Sequence, residues 1–114
     1  MPDQIAIQVP RPRVMEGSAF TATAYFRNRA TSAASAPSAV RWRVDCLTTG
    51  REVVGWTSAT AAASITISVP PAANAIHDDA NFLERRQLVV EADAGLSTQE
   101  RQAVTWEVKN IRGI

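Results

Sequence analysis

Cysteine, histidine and lysine each occur once in this 114-residue chain. A lone Cys46 can close no internal disulfide, so a disulfide-stapled secreted scaffold is excluded and an intracellular origin fits best. The start, Met1-Pro2-Asp3-Gln4, lacks a basic region followed by an apolar run, so no signal peptide is expected. No stretch approaches the length of a membrane span. Neither sign of charge is in excess: the net charge is +1, which creates no field favouring nucleic acid or an acidic membrane. The five glycines are scattered singly along the chain and form no phosphate-cradling loop. An amphipathic helical stripe is also missing.

What is present is alternation. Val40, Trp42, Val44 and Cys46 fall on one side of a stretch whose other side is Arg41, Arg43 and Asp45. A period of two belongs to a strand with one buried and one wet face. Ile5, Ile7 and Val9 predict a first strand, stopped by Pro10 and Pro12. Glu16-Gly17-Ser18 is a turn signal. Phe20, Ala22, Ala24 and Phe26 alternate with Thr21, Thr23, Tyr25 and Arg27. Residues 28 to 38 read as an exposed connection. Thr48-Thr49-Gly50 turns the chain into a short strand over Glu52 to Thr57, carrying Val54 and Trp56, and the pair reads as a hairpin. Ser64 to Val69 points Ile65, Ile67 and Val69 inward before Pro70-Pro71. Residues 72 to 81 are expected to hold a short helical turn within a loop. Residues 83 to 93 place Leu88, Val90 and Ala92 inward and Gln87, Glu91 and Asp93 outward. After Asp93-Ala94-Gly95, a last strand over 98 to 110 carries Val104, Trp106 and Val108 inward, with a bulge or strand end near Asn110.

These elements predict one domain over residues 1–114. It is all-β: an immunoglobulin/fibronectin-III-like antiparallel β-sandwich of about seven strands. A small closed barrel is the alternative. The 46% apolar content suits such a core. Eleven arginines accompany Lys109. Twenty alanines beside one lysine suggest a GC-rich genome, while arginine also suits bidentate contacts at a protein interface.

Chemistry-bearing constellations are few. His77-Asp78-Asp79 could contribute ligands to a divalent ion, but adjacent residues rarely converge on one centre. A polar loop, with an Asp capping a helical turn or closing an Asx turn, explains the cluster better. Cys46 with His77 is the one thiol–imidazole pair. Cys46 shares the parity of Trp42 and Val44 and is expected in the core, where it cannot act as a nucleophile. Glu91 and Asp93 are expected to be solvated or salt-bridged. Arg41 and Arg43 with Tyr25 could form a stacking strip for single-stranded nucleic acid. Cross-strand pairing with Asp45, Glu91 or Glu107 is the simpler account. Trp42 and Trp106 read as core; Trp56 could offer a sugar-stacking surface. No catalytic, cofactor-binding or metal-binding residue is assigned. The loop from Pro70 to Phe82 and the two ends, Met1 to Gln4 and Arg112 to Ile114, are the candidate contact regions. They supply Ile76, His77, Asp78, Asp79, Phe82, Arg85, Arg112 and Ile114.

The runs Arg43-Val44-Asp45-Cys46-Leu47-Thr48-Thr49-Gly50 and Val54-Gly55-Trp56-Thr57 carry a resemblance. So do Arg86-Gln87-Leu88-Val89-Val90, Leu96-Ser97-Thr98-Gln99 and Val108-Lys109-Asn110-Ile111-Arg112-Gly113. Over residues 40 to 113 the chain resembles small virion proteins of tailed bacteriophages. The resemblance implies a non-enzymatic structural role: first capsid decoration on the major capsid protein, then head–tail connection or neck assembly, then a tail subunit. It implies synthesis in the host bacterial cytoplasm, residence in the virion and no cofactor. Its implied partners are other virion proteins, with a second copy of the chain as a further candidate; neither nucleic acid nor membrane is expected as a partner. The N-terminal third, with its strand from Phe20 to Arg29, also resembles adhesion-type sandwich modules of bacterial proteins, which makes a free-standing adhesion or carbohydrate-binding module the competing expectation.

Overall fold

In the computed structural model, which describes residues 3–111, the alternating stretches become eight strands. They are β1 (Gln4–Gln8), β2 (Arg13–Met15), β3 (Phe20–Arg27), β4 (Val40–Cys46), β5 (Arg51–Ala59), β6 (Ser64–Val69), β7 (Leu83–Ala92) and β8 (Glu100–Lys109). One sheet has the order β1-β3-β6 and the other β2-β8-β7-β4-β5. This is the two-layer immunoglobulin-like sandwich, and the barrel alternative falls away because the two sheets are separate. Met1, Pro2, Arg112, Gly113 and Ile114 lie outside the described residues.

Two details differ from the sequence reading. The strand count is eight rather than seven, because β2 forms in the three residues after Pro12, too short a run for periodicity to reveal. It also pairs in parallel with β8, Arg13 opposite Glu107 and Met15 opposite Lys109, so the sandwich is not wholly antiparallel. The chain from β1 to β2 therefore crosses from one sheet to the other through Val9–Pro12 and closes that flank. The opposite flank is formed by β5 and β6, joined by residues 60–63.

The core lies between the sheets. Ala22, Ala24 and Phe26 of β3 and Ile65, Ile67 and Val69 of β6 face Val44, Leu88, Val90, Trp106 and Val108, all buried. Each large apolar side chain contributes about 1.5–3 kcal/mol before the entropy of ordering is subtracted. Trp106 packs edge-on against Phe20, with ring centroids 5.0 Å apart. Its Nε1 donates to Asn74 Oδ1 at 2.8 Å, and Asn74 Nδ2 donates to Ser18 O at 2.7 Å. Asn74 ends a 3-10 turn over Pro71–Asn74, so the indole ties that turn to β8. Trp42 is half-buried against the same core.

Glu91 and Asp93, expected on a wet face, are fully buried. Asp93 adopts a left-handed backbone (φ 54°), a conformation Asp tolerates. Its Oδ1 accepts from the amides of Ser38 and Ala39, and its Oδ2 from Thr98 Oγ1. A carboxylate with three such donors is satisfied without water.

Candidate functional site

The rim carrying the Gly17 turn, the β4–β5 turn and the Pro70–Phe82 loop holds the expected contact residues. The structure divides them. Asp78, Asp79, Phe82 and Arg85 are exposed, Phe82 by 49%, with Lys109 Nζ 5.6 Å from its ring. Ile76 is not a free surface anchor: it is half-buried and packs against the core. His77 is half-buried, with Nδ1 3.1 Å from Thr49 Oγ1. Asp78 Oδ1 accepts from the amide of Ala80 at 2.9 Å and so closes an Asx turn. Arg112 and Ile114 lie outside the described residues.

The loop is held from beneath by Glu84 and Arg86. Both lie on the inner face of β7, both are fully buried, and they pair at 3.1 Å. Glu84 also accepts from the amides of His77 and Asp78 and from Asn81 Nδ2. Arg86 donates to the carbonyls of Ala73 and Ala75 and, from Nη1, to Cys46 Sγ at 3.0 Å. Thus the cluster that converges is Cys46, His77 and Glu84, whose ligand atoms lie within 4.8 Å of one another, and not His77, Asp78 and Asp79. The Arg86 guanidinium contacts two of its three members. A divalent cation there would meet a fixed positive charge at close range in a low dielectric, so the group reads as an ion-paired anchor. Cys46 lies near His77 as a nucleophile would, but its sulfur is buried and accepts from Arg86 and the Thr49 amide.

Burial opposes ionisation of Glu84, yet the His77 amide, Asn81, the Asp78 amide and Arg86 together lower its carboxyl to about 2 from the ordinary 4.5. Its stabilising effect is therefore complete above about pH 4.5 and is lost as pH falls towards 2. His77 is lowered by burial and by Arg86, so its neutral form belongs to the fold and acid works in the same direction. The unfolding free energy, followed by urea titration at each pH, is expected to fall through this acid window by an amount on the order of 2 kcal/mol. Glu84→Gln should flatten the acid limb, leaving the part carried by Glu91. An unchanged limb would contradict the assignment.

A second constellation lies on the outer face of the five-stranded sheet. In sequence, Trp56 shares the parity of Val54, which packs against the core. The β4–β5 ladder slips between Trp42 and Val44, so that Trp42 faces Thr57 while Val44 faces Val54. The extra residue of this bulge turns the indole outward. Trp56 is 39% exposed, with the Arg41 guanidinium 4.0 Å from its ring centroid and that of Arg43 at 5.5 Å. Arg41 pairs with Glu91 at 2.6 Å, and Arg101 pairs with the same carboxylate from the other side. Burial disfavours the ionised form of Glu91, but Arg101 and then Arg41 lower its carboxyl below the ordinary value. Arg43 pairs with Asp45 at 2.6 Å and Glu52 at 3.3 Å.

Cross-strand pairing of Arg41 with Glu91 follows the sequence reading, whereas Glu107 pairs instead with Arg13. Tyr25 is not the stacking partner of Arg41 and Arg43: it belongs to β3, in the other sheet, and Trp56 takes that place. Glu84, Arg86 and Arg101 were not singled out by sequence. Glu84 and Arg86 share the parity of Leu88 and Val90, and that was the available signal. The two constellations do different work: the inner one fixes a loop, and the outer one presents an aromatic ring and three arginines on an open face. No protein-family model matches this sequence, and no curated protein matches it.

Proposed function

We propose that the chain is a non-enzymatic interaction domain that docks through the outer face of its five-stranded sheet. The observation that carries this reading is Trp56, exposed beside β4 and stacked under Arg41. Tryptophan and arginine dominate the energetic centres of protein interfaces, and arginines held in advance by Glu91 and Asp45 lose little freedom on binding. Around Trp56 three arginines, Arg41, Arg43 and Arg101, are balanced by three carboxylates, Asp45, Glu52 and Glu91, which fits a protein partner better than a polyanion. Together with the resemblance of residues 40 to 113, this supports a structural component of a tailed-bacteriophage virion, made in the host cytoplasm. Capsid decoration on the major capsid protein ranks first; head–tail or tail assembly is the alternative.

A carbohydrate-binding or adhesion role draws on the same exposed indole. The Arg41 guanidinium already lies over the ring, so a sugar would have to displace it. Mass spectrometry of purified particles tests the virion reading: the polypeptide is expected there, and its absence overturns the proposal. Trp56→Ala should leave the fold intact and reduce incorporation about 30-fold, the effect of removing a ~2 kcal/mol anchor.

A further inference from the structure

A sheet edge presents unpaired backbone donors and acceptors, and folded proteins usually blunt it with charge, proline, a bulge, brevity or a cover. Three of the four edges in the described sheets carry such devices. β2 has three residues and follows Pro12. β5 is interrupted by two register shifts and begins with Arg51 and Glu52. β1 lies against β8, and its Ile5 carbonyl accepts from Gln102 Nε2 at 3.4 Å, before the chain runs into Pro10 and Pro12.

β6 carries none of them. It pairs with β3 through six successive residues without a shift, and no strand lies on its other side. Ser64, Thr66 and Ser68 are exposed on its outer face, while Ile65, Ile67 and Val69 are buried beneath. Within the strand there is neither a charged residue nor a proline.

The order Ser64, Ile65, Thr66, Ile67, Ser68 reads the same in both directions. We propose that β6 is a self-association edge, pairing antiparallel with β6 of a second copy about a two-fold axis at Thr66. In that register Ser64 of one copy faces Ser68 of the other, Ile65 faces Ile67, and Thr66 faces Thr66. A two-fold contact requires a self-complementary surface, and this edge is one. Hydroxyl residues meet hydroxyl residues, which is a favourable cross-strand pair, and no like charges oppose each other along the strand. Two three-stranded sheets become one of six strands. A charged edge would instead point to an extended segment of a different, oppositely charged protein. This inference does not depend on the virion reading.

The contact is small, so the association is weak and is read by sedimentation between about 1 μM and about 1 mM. The wild-type chain is expected to pass from monomer to dimer within that range. Thr66→Lys places two ammonium groups against each other across the axis and should shift the midpoint at least about tenfold, whereas Gln8→Lys, on the far edge of the same sheet, should not. Thr66→Cys supplies an independent arm that survives any folding defect of the lysine variant. Directly opposed residues in an antiparallel pair have Cα atoms about 4.5–5.5 Å apart, within disulfide range. The introduced thiols should therefore link two copies under oxidation, with Cys46 buried and silent. A wild type that stays monomeric throughout overturns the proposal and leaves the edge to a strand of another protein. A dimer indifferent to Thr66→Lys, or a Thr66→Cys chain that does not cross-link, overturns it as well.

Discussion

Arg86→Met is expected to destabilise the fold by about 3–5 kcal/mol, the cost of leaving one member of a buried ion pair uncompensated. Methionine approximates the length of the arginine stem but donates nothing. The Glu84 carboxylate would keep the His77 and Asp78 amides and Asn81, and lose its one cation. The carbonyls of Ala73 and Ala75 would lose a donor as well. Small domains have a total stability of about 5–15 kcal/mol, so a loss of this size is visible as a large drop in the urea midpoint. Hydrogen exchange should show the earliest release in residues 73–82, because those amides and carbonyls hang on the pair. Arg86→Lys, which keeps the charge but not the fork of donors, should fall between wild type and Arg86→Met. Replacing Glu84 and Arg86 together with Leu and Met should cost less than the sum of the single changes. Additivity, or a loss under about 1 kcal/mol for Arg86→Met, would count against the network as the anchor of this rim.

The second large effect belongs to Trp106. Trp106→Ala should cost about 3–5 kcal/mol, since it removes the largest buried side chain of the core and its edge contact with Phe20. Trp106→Phe separates shape from polarity. The smaller ring still fills part of the site, but Asn74 Oδ1 loses the indole donor. An unsatisfied buried acceptor costs about 1–3 kcal/mol, so the phenylalanine variant should remain clearly weaker than wild type. Asn74→Leu in the Trp106→Phe background removes the stranded acceptor, although it also frees the Ser18 carbonyl. Thermal and urea unfolding of the three variants would order these contributions. Equal stability of wild type and Trp106→Phe would mean that the indole N–H has no structural role.

The two-layer architecture was legible because burial imposes a period of two. Phe20 to Arg27 and Ser64 to Val69 could be assigned from alternation alone, and both occur where expected. Asp78 in its Asx turn and Cys46 in the core were readable for similarly local reasons. Illegible features all depended on a partner distant in sequence. β2 exists only because β8 offers it a ladder. Trp56 leaves the parity of Val54 because the facing strand is one residue shorter across the bulge. The pairing of Glu91 with Arg41 was readable, but its complete burial was not, because Arg101 closes over the same carboxylate from β8. In each case a non-local pairing overrode the local signal.

The parallel pairing of β2 with β8 has a mechanical corollary. When the chain is pulled by its two termini, β2 is drawn towards its own beginning and β8 towards its own end. Because the two strands run the same way, the tension slides one along the other and loads all their rungs at once, rather than peeling them in succession. Tugging through this route should meet a stiff initial resistance at Arg13–Met15, even though that patch spans only three residues.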